Sequence, residues 1–232
     1  MQDSQQTFMT LPIDSRLNPV HKNLIENVRF GQVWGHLPPE EGLFDFFLNI
    51  KKYTKVEHIL EFGTCLGFSS SYQLTLFPEA NLVTYDVHEW LCDQTLYGKT
   101  REINIDFPAW MLCKLTYGDR FRFRQTSSRN ARVHEKPNHF DYCFIDGDHT
   151  FDGTVFDIET ARKLGIKYFV VDNLQGQQYD PGLKSVLNAV KSFGNEIREL
   201  ERYTYKSEYP LLKDGEKYYI YDDIVLFEFV NL

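Results

Sequence analysis

Apolar positions change their spacing twice along this chain. In "PPEEGLFDFFLNIKK", from Pro38 to Lys52, Leu43, Phe44, Phe47 and Ile50 fall on one face at helical spacing. Prolines at the start, Glu40 and Glu41 in the first turn, and Lys51 and Lys52 at the end complement a helix dipole. From Glu57 onward, short apolar runs alternate with longer helical patterns. "EHILEF", "NLVTYD", "FRFRQT", "DYCFID" and "KYFVVD" read as strands. Between them "SSSYQLTLF", the stretch around "FPAWMLCKL", "TVFDIETARKLG" (with Val155, Ile158 and Leu164 on one stripe) and "GLKSVLNAVKSF" read as helices. That alternation predicts an α/β fold with a mostly parallel, doubly wound sheet and crossover helices. After Gly194 the pattern becomes two long strand-like runs, "EIRELERYTY" and "KYYIYDDIVLFEFV", separated by "KDGEK". An antiparallel hairpin is expected to close the sheet edge.

Two segments stand outside the alternation. The opening "MQDSQQTFMTLPIDS" is polar, with Phe8, Met9 and Leu11 its main apolar positions, and order is expected from about Leu17. The connection from His88 to Gly118 is long, and its Trp90, Tyr97 and Trp110 make it a candidate lid or substrate wall.

At 232 residues and 42% hydrophobic content, the chain suffices for one sizeable core. One domain over 1–232 is expected, with 1–50 as an N-terminal extension with helices and 55–232 as the cofactor-binding core. The net charge of -8 and the lack of a Lys/Arg block argue against nucleic acid and against an anionic membrane as partner. A small molecule is the expected ligand. Cysteines 65, 92, 113 and 143 have no metal-ligand spacing, and the N-terminus lacks the order of a signal peptide. No apolar run approaches the roughly 18 residues of a membrane span. A cytoplasmic chain with reduced thiols is expected. The aromatic N-terminal region or the long final strands could pair subunits in a homo-oligomer.

Candidate chemistry collects at strand ends. "EFGTCLGFSS" follows the first strand, with Glu61 at its end, Gly63 and Gly67 in the turn, and Ser69 entering the helix. Such a turn either lets backbone approach an anionic ligand at a helix N-terminus, or is a glycine turn with a serine cap. The second strand ends in Asp86, which could accept both hydroxyls of a ribose or cap the next turn. "DYCFID" puts Asp146 on the same edge, with Asp148 and His149 in the loop. Asp152 reads as starting the next helix, as its cap or in its first turn, Asp157 as its solvated face, and Asp141 as a turn residue. "KYFVVDN" ends in Asp172 and Asn173 beside Asp146. Two carboxylates and an amide oxygen are hard ligands suited to Mg²⁺ or a similar divalent cation, or they are two unrelated strand-end turns.

In this order and separation, "LEFGTCLGFSS", "YDVHE", "FDYCFIDGDHTFDG" and "VVDN" resemble the class I S-adenosylmethionine-dependent O-methyltransferases. The likeness is to the metal-dependent catechol and caffeoyl-CoA type and to the group that methylates sugars, and covers roughly Gly35 to Asn173. It implies a Rossmann-like, seven-stranded sheet with an antiparallel final strand and helices on both faces. It also implies that Glu61, Gly63, Thr64, Gly67 and Ser69 form the methionine end of the cofactor site, with Asp86 at the ribose. Ser127 or Ser128 would lie near the adenine, and Asp146 would border the cofactor as well. Asp146, Asp172 and Asn173 match the metal ligands. His149 falls where catechol-type enzymes carry a lysine base and other relatives a histidine.

The residue types suit methyl transfer, which aligns donor with acceptor and makes the acceptor oxygen more nucleophilic. A cation lowers the pKa of a bound hydroxyl, and His149 beside Asp146 takes the proton; a purely structural histidine is the alternative. Rival functions are a metal-independent methyltransferase acting on nitrogen or another atom, and a non-catalytic cofactor-binding protein. A nicotinamide oxidoreductase is more distant, since the turn is not GxGxxG. The other histidines have no clustered spacing, although His36 could border the cofactor entrance.

Overall fold

Helix α1, Glu41–Asn49, runs into a 3-10 turn at Ile50–Lys52. The stripe read from its sequence is its buried face, since Leu43, Phe44, Phe47 and Ile50 are all 0% exposed. This computed structural model describes residues 41–65, 67–88, 109–174, 184–206, 211–213, 216–218 and 221–232. The expectations for Phe8, Met9, Leu11, His36, Trp90, Cys92 and Tyr97 lie outside the described residues.

Among the described residues, nine strands follow: β1 His58–Phe62, β2 Asn81–Asp86, β3 Phe121–Gln125, β4 Tyr142–Ile145, β5 Tyr168–Val171, β6 Ile197–Lys206, β7 Leu211–Lys213, β8 Glu216–Tyr218 and β9 Tyr221–Phe229. Seven form one sheet in the order β3-β2-β1-β4-β5-β9-β6. The pairs from β3 to β5 are parallel, while β9 runs antiparallel to both β5 and β6. The expected hairpin therefore closes the edge, with the final strand as the reversed one. It is more elaborate than expected: β7 and β8 form a separate two-stranded ribbon, and Lys217 and Tyr218 belong to β8 instead of β9.

Crossovers lie on both faces, as the alternation requires. Helices α2 (Phe68–Leu76) and α3 (Ala109–Tyr117) share the α1 face, where Tyr72, Leu74, Cys113 and Tyr117 pack with Ile59 and Phe144. Helices α4 (Ala131–His134), α5 (Phe151–Lys163) and α6 (Lys184–Ser192) cover the other, where Ala131, Ile158 and Val186 pack with Leu60 and Ile145. Successive strand residues thus feed opposite layers, which makes the central strands apolar throughout. Neither the short α4 nor the 3-10 turn before it, Ser128–Asn130, is visible as a pattern in the sequence.

Chain order reverses between β1 and β4, because β1 leads outward to β2 and β3 while β4 starts the other half. The carboxyl ends on either side of such a switch point leave a crevice, which is where open α/β sheets bind ligands. Cys143 is a free, buried thiol. Among the described residues, no helix is long and apolar enough to cross a membrane.

Candidate active site

The ends of β1 and β4 are locked together. Phe62 pairs with Ile145, and the Asp146 N–H donates to the Phe62 carbonyl at 2.8 Å. Gly63 then turns away with φ of 94°, and a Cβ there would lie 2.0 Å from the Asp146 carbonyl oxygen. No side chain fits that approach, so glycine is required by contact as well as by conformation. Gly67, with φ of 81°, starts α2.

Each carboxylate in this half has its donors. Glu61 is fully buried and accepts from Ser69 Oγ at 2.7 Å, from Gln73 Nε2 at 2.9 Å, and from the Ser70 hydroxyl. Gln73 Oε1 accepts the Tyr142 hydroxyl at 2.6 Å, tying α2 to β4. Burial pushes the Glu61 carboxyl up to about 7, against the pull of its hydroxyl partners. Thr64 is 1% exposed, with Oγ1 2.6 Å from Thr84 Oγ1. Asp86 accepts the Thr64 and Cys65 N–H groups at 3.1 and 2.8 Å on one oxygen, and the His88 N–H at 2.9 Å on the other. It straps the glycine turn to the end of β2.

The other half has carboxylates facing one another. Asp146 Oδ1 lies 3.0 Å from His149 Nε2 and accepts from Asn173 Nδ2 at 3.1 Å. Asn173 is left-handed, with φ of 58°, where asparagine is among the residues tolerated. Asp172 is 4% exposed, and its Oδ1 accepts the Tyr205 hydroxyl at 3.0 Å. Burial, then the charges of Asp146 and Asp222, drive its carboxyl well above the usual range. For His149, burial alone would lower the imidazole pKa. The Asp146 hydrogen bond and the charges of Asp146, Asp172 and Asp222 outweigh it and push the ring up to about 9.

Asp222 and Tyr205 extend the site onto β9 and β6, where they are register partners. The strand-end reading did not single them out. The signal available was "YDDIVLF", which puts two aspartates in consecutive positions of an otherwise apolar strand and so one on each face. Among the described residues, no group of three or more His, Cys, Asp or Glu side chains is arranged to hold a metal ion. The expected metal set differs in kind, since its third member is the Asn173 amide.

Several expectations change. Asp157 is not on the solvated face of α5: it is 2% exposed and accepts the Ser128 hydroxyl at 2.5 Å. Its place on the helix turns it toward the 3-10 turn after β3, which the sequence pattern hides. Of the two places expected for Asp152 it takes the first turn of α5, while Thr150 caps the helix, its hydroxyl accepting the Gly153 N–H at 3.1 Å. Asp141 braces the opposite sheet edge, accepting the Glu57 and His58 N–H groups at 2.7 Å each. Trp110 is stacked on Phe123, with centroids 5.3 Å apart, which fits a packing role better than a wall. Ser127 caps its turn by accepting the Arg129 N–H at 3.2 Å.

Residues 60–165, which hold the glycine turn, Asp86 and the Asp146–His149 pair, match a family model described as a methyltransferase domain. The chain carries a methyltransferase domain. No curated protein matches the sequence. Similar solved structures agree on the fold of this domain and extend it over nearly the whole chain. An O-methyltransferase from Bacillus cereus in complex with S-adenosylhomocysteine is 16% identical, with a TM-score of 0.57 over 91% of each chain. The O-methyltransferase TomG from Streptomyces achromogenes, in complex with S-adenosylmethionine, is 15% identical with a TM-score of 0.57, over 91% of this chain and 90% of that one. A methyltransferase from Podospora anserina bound to S-adenosylhomocysteine is 14% identical with a TM-score of 0.59, over 92% and 89%. The seven-stranded sheet thus shares the fold of these structures and is the Rossmann-like sheet that the resemblance implied.

Proposed function

We propose that this methyltransferase uses S-adenosylmethionine to methylate a hydroxyl of a small molecule, a phenol or catechol or a sugar, assisted by a divalent cation. The observation that carries the reading is the His149–Asp146 pair, 3.0 Å apart at the carboxyl end of β4, across the switch point from the glycine turn. A base oriented by a carboxylate stands there beside the place for a cofactor.

The residues support an assignment of roles. Glu61 and Ser69 hold the start of α2, beside Gly63, Thr64 and Gly67, and the positive end of that helix would draw a methionine carboxylate. Asp86 is strapped at the ribose position, and Ser127 stands after β3 toward the adenine. In the reaction the sulfonium–methyl bond breaks as the oxygen–methyl bond forms, leaving a thioether, and the hydroxyl proton leaves. If His149 donates Nε2–H to Asp146, then Nδ1 is the atom that accepts that proton, in the manner of an oriented imidazole base.

Asp146, Asp172 and Asn173 suit a hard cation by donor type, and the excess negative charge around Asp172 is what a cation would relieve. Bound there, a divalent ion would lower the pKa of the acceptor hydroxyl and offset the field that holds His149 protonated. A second reading, methyl transfer without metal and to nitrogen or another atom, is favoured by the hydrogen bonds from Asn173 and Tyr205 and the His149 contact that already engage Asp146 and Asp172.

One experiment separates the two. S-adenosylhomocysteine formation is followed with panels of catechols and sugars, with added Mg²⁺ and after stringent chelation. Turnover that stops on chelation and returns with Mg²⁺ is expected. Unchanged turnover removes the cation, and wild-type protein that binds no S-adenosylhomocysteine in calorimetry removes the cofactor.

A further inference from the structure

Asp157 has no part in the roles assigned above, yet it is among the most enclosed carboxyls of the protein. It is 2% exposed, on the second turn of α5, the helix that follows the Asp146–His149 loop. Its Oδ1 accepts the Ser128 hydroxyl at 2.5 Å. Its Oδ2 is buried and has no hydrogen-bond partner among the described residues. That second oxygen lies against Gly147: a Cβ on the glycine would be 3.3 Å from it, 3.5 Å from the Phe62 carbonyl carbon and 3.6 Å from the Gly63 nitrogen.

One carboxyl therefore stands between two turns. Through Ser128 it holds the turn after β3, and through Gly147 it underlies the turn after β4, next to where β1 ends. In the sheet order, β2 with Asp86 lies between β3 on one side and β1 and β4 on the other. A nucleoside held by its ribose at Asp86 must then rest its base between those two turns. A buried oxygen without a partner costs stability, so its presence calls for a reason beyond folding.

We propose that Asp157 is a positioning residue for the adenosine end of the cofactor, fixing the spacing of the Ser127–Ser128 turn and Gly147 from beneath. The proposal rests on the S-adenosylmethionine reading. It assigns Asp157 no contact with the methionine end or with the acceptor. Burial, the leading influence, holds its carboxyl up to about 7, while Ser128 and Arg129 pull the other way. The protonated form is therefore populated at neutral pH, and an amide can replace it with little change of charge or shape.

The test uses the full-length chain and calorimetry with two probes, S-adenosylhomocysteine and 5′-methylthioadenosine, which share the adenosine but not the amino-acid end. Asp157→Ala and Ser128→Ala are each expected to weaken both probes by the same factor, about tenfold, as loss of a hydrogen bond to a carboxyl predicts. KM for S-adenosylmethionine should rise by that factor, with kcat and the acceptor KM unchanged, and Asp157→Asn should restore most of the affinity. The proposal is overturned if Asp157→Ala folds, by circular dichroism, and binds both probes as wild type does. It is equally overturned if only S-adenosylhomocysteine is weakened, since the defect then sits at the methionine end. Should Asp157→Ala not fold, Ser128→Ala decides by the same two criteria. Failure of wild type to bind either probe would instead sink the cofactor reading, and the proposal with it.

Discussion

The two halves of the carboxyl edge treat their carboxylates in opposite ways. At the ends of β1 and β2, Glu61 takes two serine hydroxyls and a glutamine amide, and Asp86 takes three backbone N–H groups. At the ends of β4 and β5, burial and the charges of Asp146 and Asp222 drive the Asp172 carboxyl up, and the three acids raise His149, with an imidazole, an amide and a phenol among them. The first half is assembled by the fold and should cost stability when altered. The second stores unfavourable charge, which is tolerated where chemistry needs it, and should cost turnover when altered.

The largest effect expected is on turnover. His149→Ala should lower kcat on the order of 10³-fold, within the range of a lost general base, while S-adenosylhomocysteine affinity changes little. A variant that turns over like wild type would end the assignment of His149 as base. Next in size, Gly63→Ala should destabilise the fold by about 3 kcal/mol, because the Asp146 carbonyl occupies the space a Cβ needs and the left-handed backbone adds strain. Denaturant unfolding checks this, and a wild-type midpoint would break the claim that the first half is rigidly built.

Asp172→Asn sharpens the contrast, since it should abolish turnover yet raise the unfolding midpoint. Removing one of the mutually repelling charges stabilises by about 1 kcal/mol, while the Tyr205 hydrogen bond can persist to the amide oxygen. A fall in both quantities would mean that the second half is structural too. The smallest effect concerns Asp157. Its carboxyl is raised from 3.8 to about 7, so the folded chain holds the extra proton between those values and stability falls as pH climbs through that window. Relative to Asp157→Asn, wild type should lose about 1 kcal/mol between pH 5 and pH 6 and show a flat difference above about 8. Parallel pH profiles for the two proteins would contradict a buried, protonated Asp157.

Much of this layout is legible in the residue pattern. Strand ends and apolar stripes follow from periodicity, because a residue's neighbours two or four positions away decide which face it presents. The runs "NLVTYD" and "DYCFID" therefore lead to Asp86 and Asp146 on one edge, and "VVDN" leads to Asp172 beside them. Periodicity fails where a contact joins distant segments. Asp157 sits at a helical position that a solvated residue could equally hold, and only the turn at Ser128 makes it buried. Tyr205 and Asp222 reach the site because β9 inserts between β5 and β6, a pairing separated by some fifty residues of chain from Asp172.

Local pattern alone determined the α/β alternation, the glycine turn after β1 and the acids that end β2, β4 and β5, since each depends on short-range geometry and on hydrophobic spacing. Tertiary structure decided which of those acids receive donors and which confront one another. Burial and charge coupling are properties of the assembled sheet: the β1 acid found its serines on the helix it leads into, whereas Asp172 met Asp222 only when the last strand folded back.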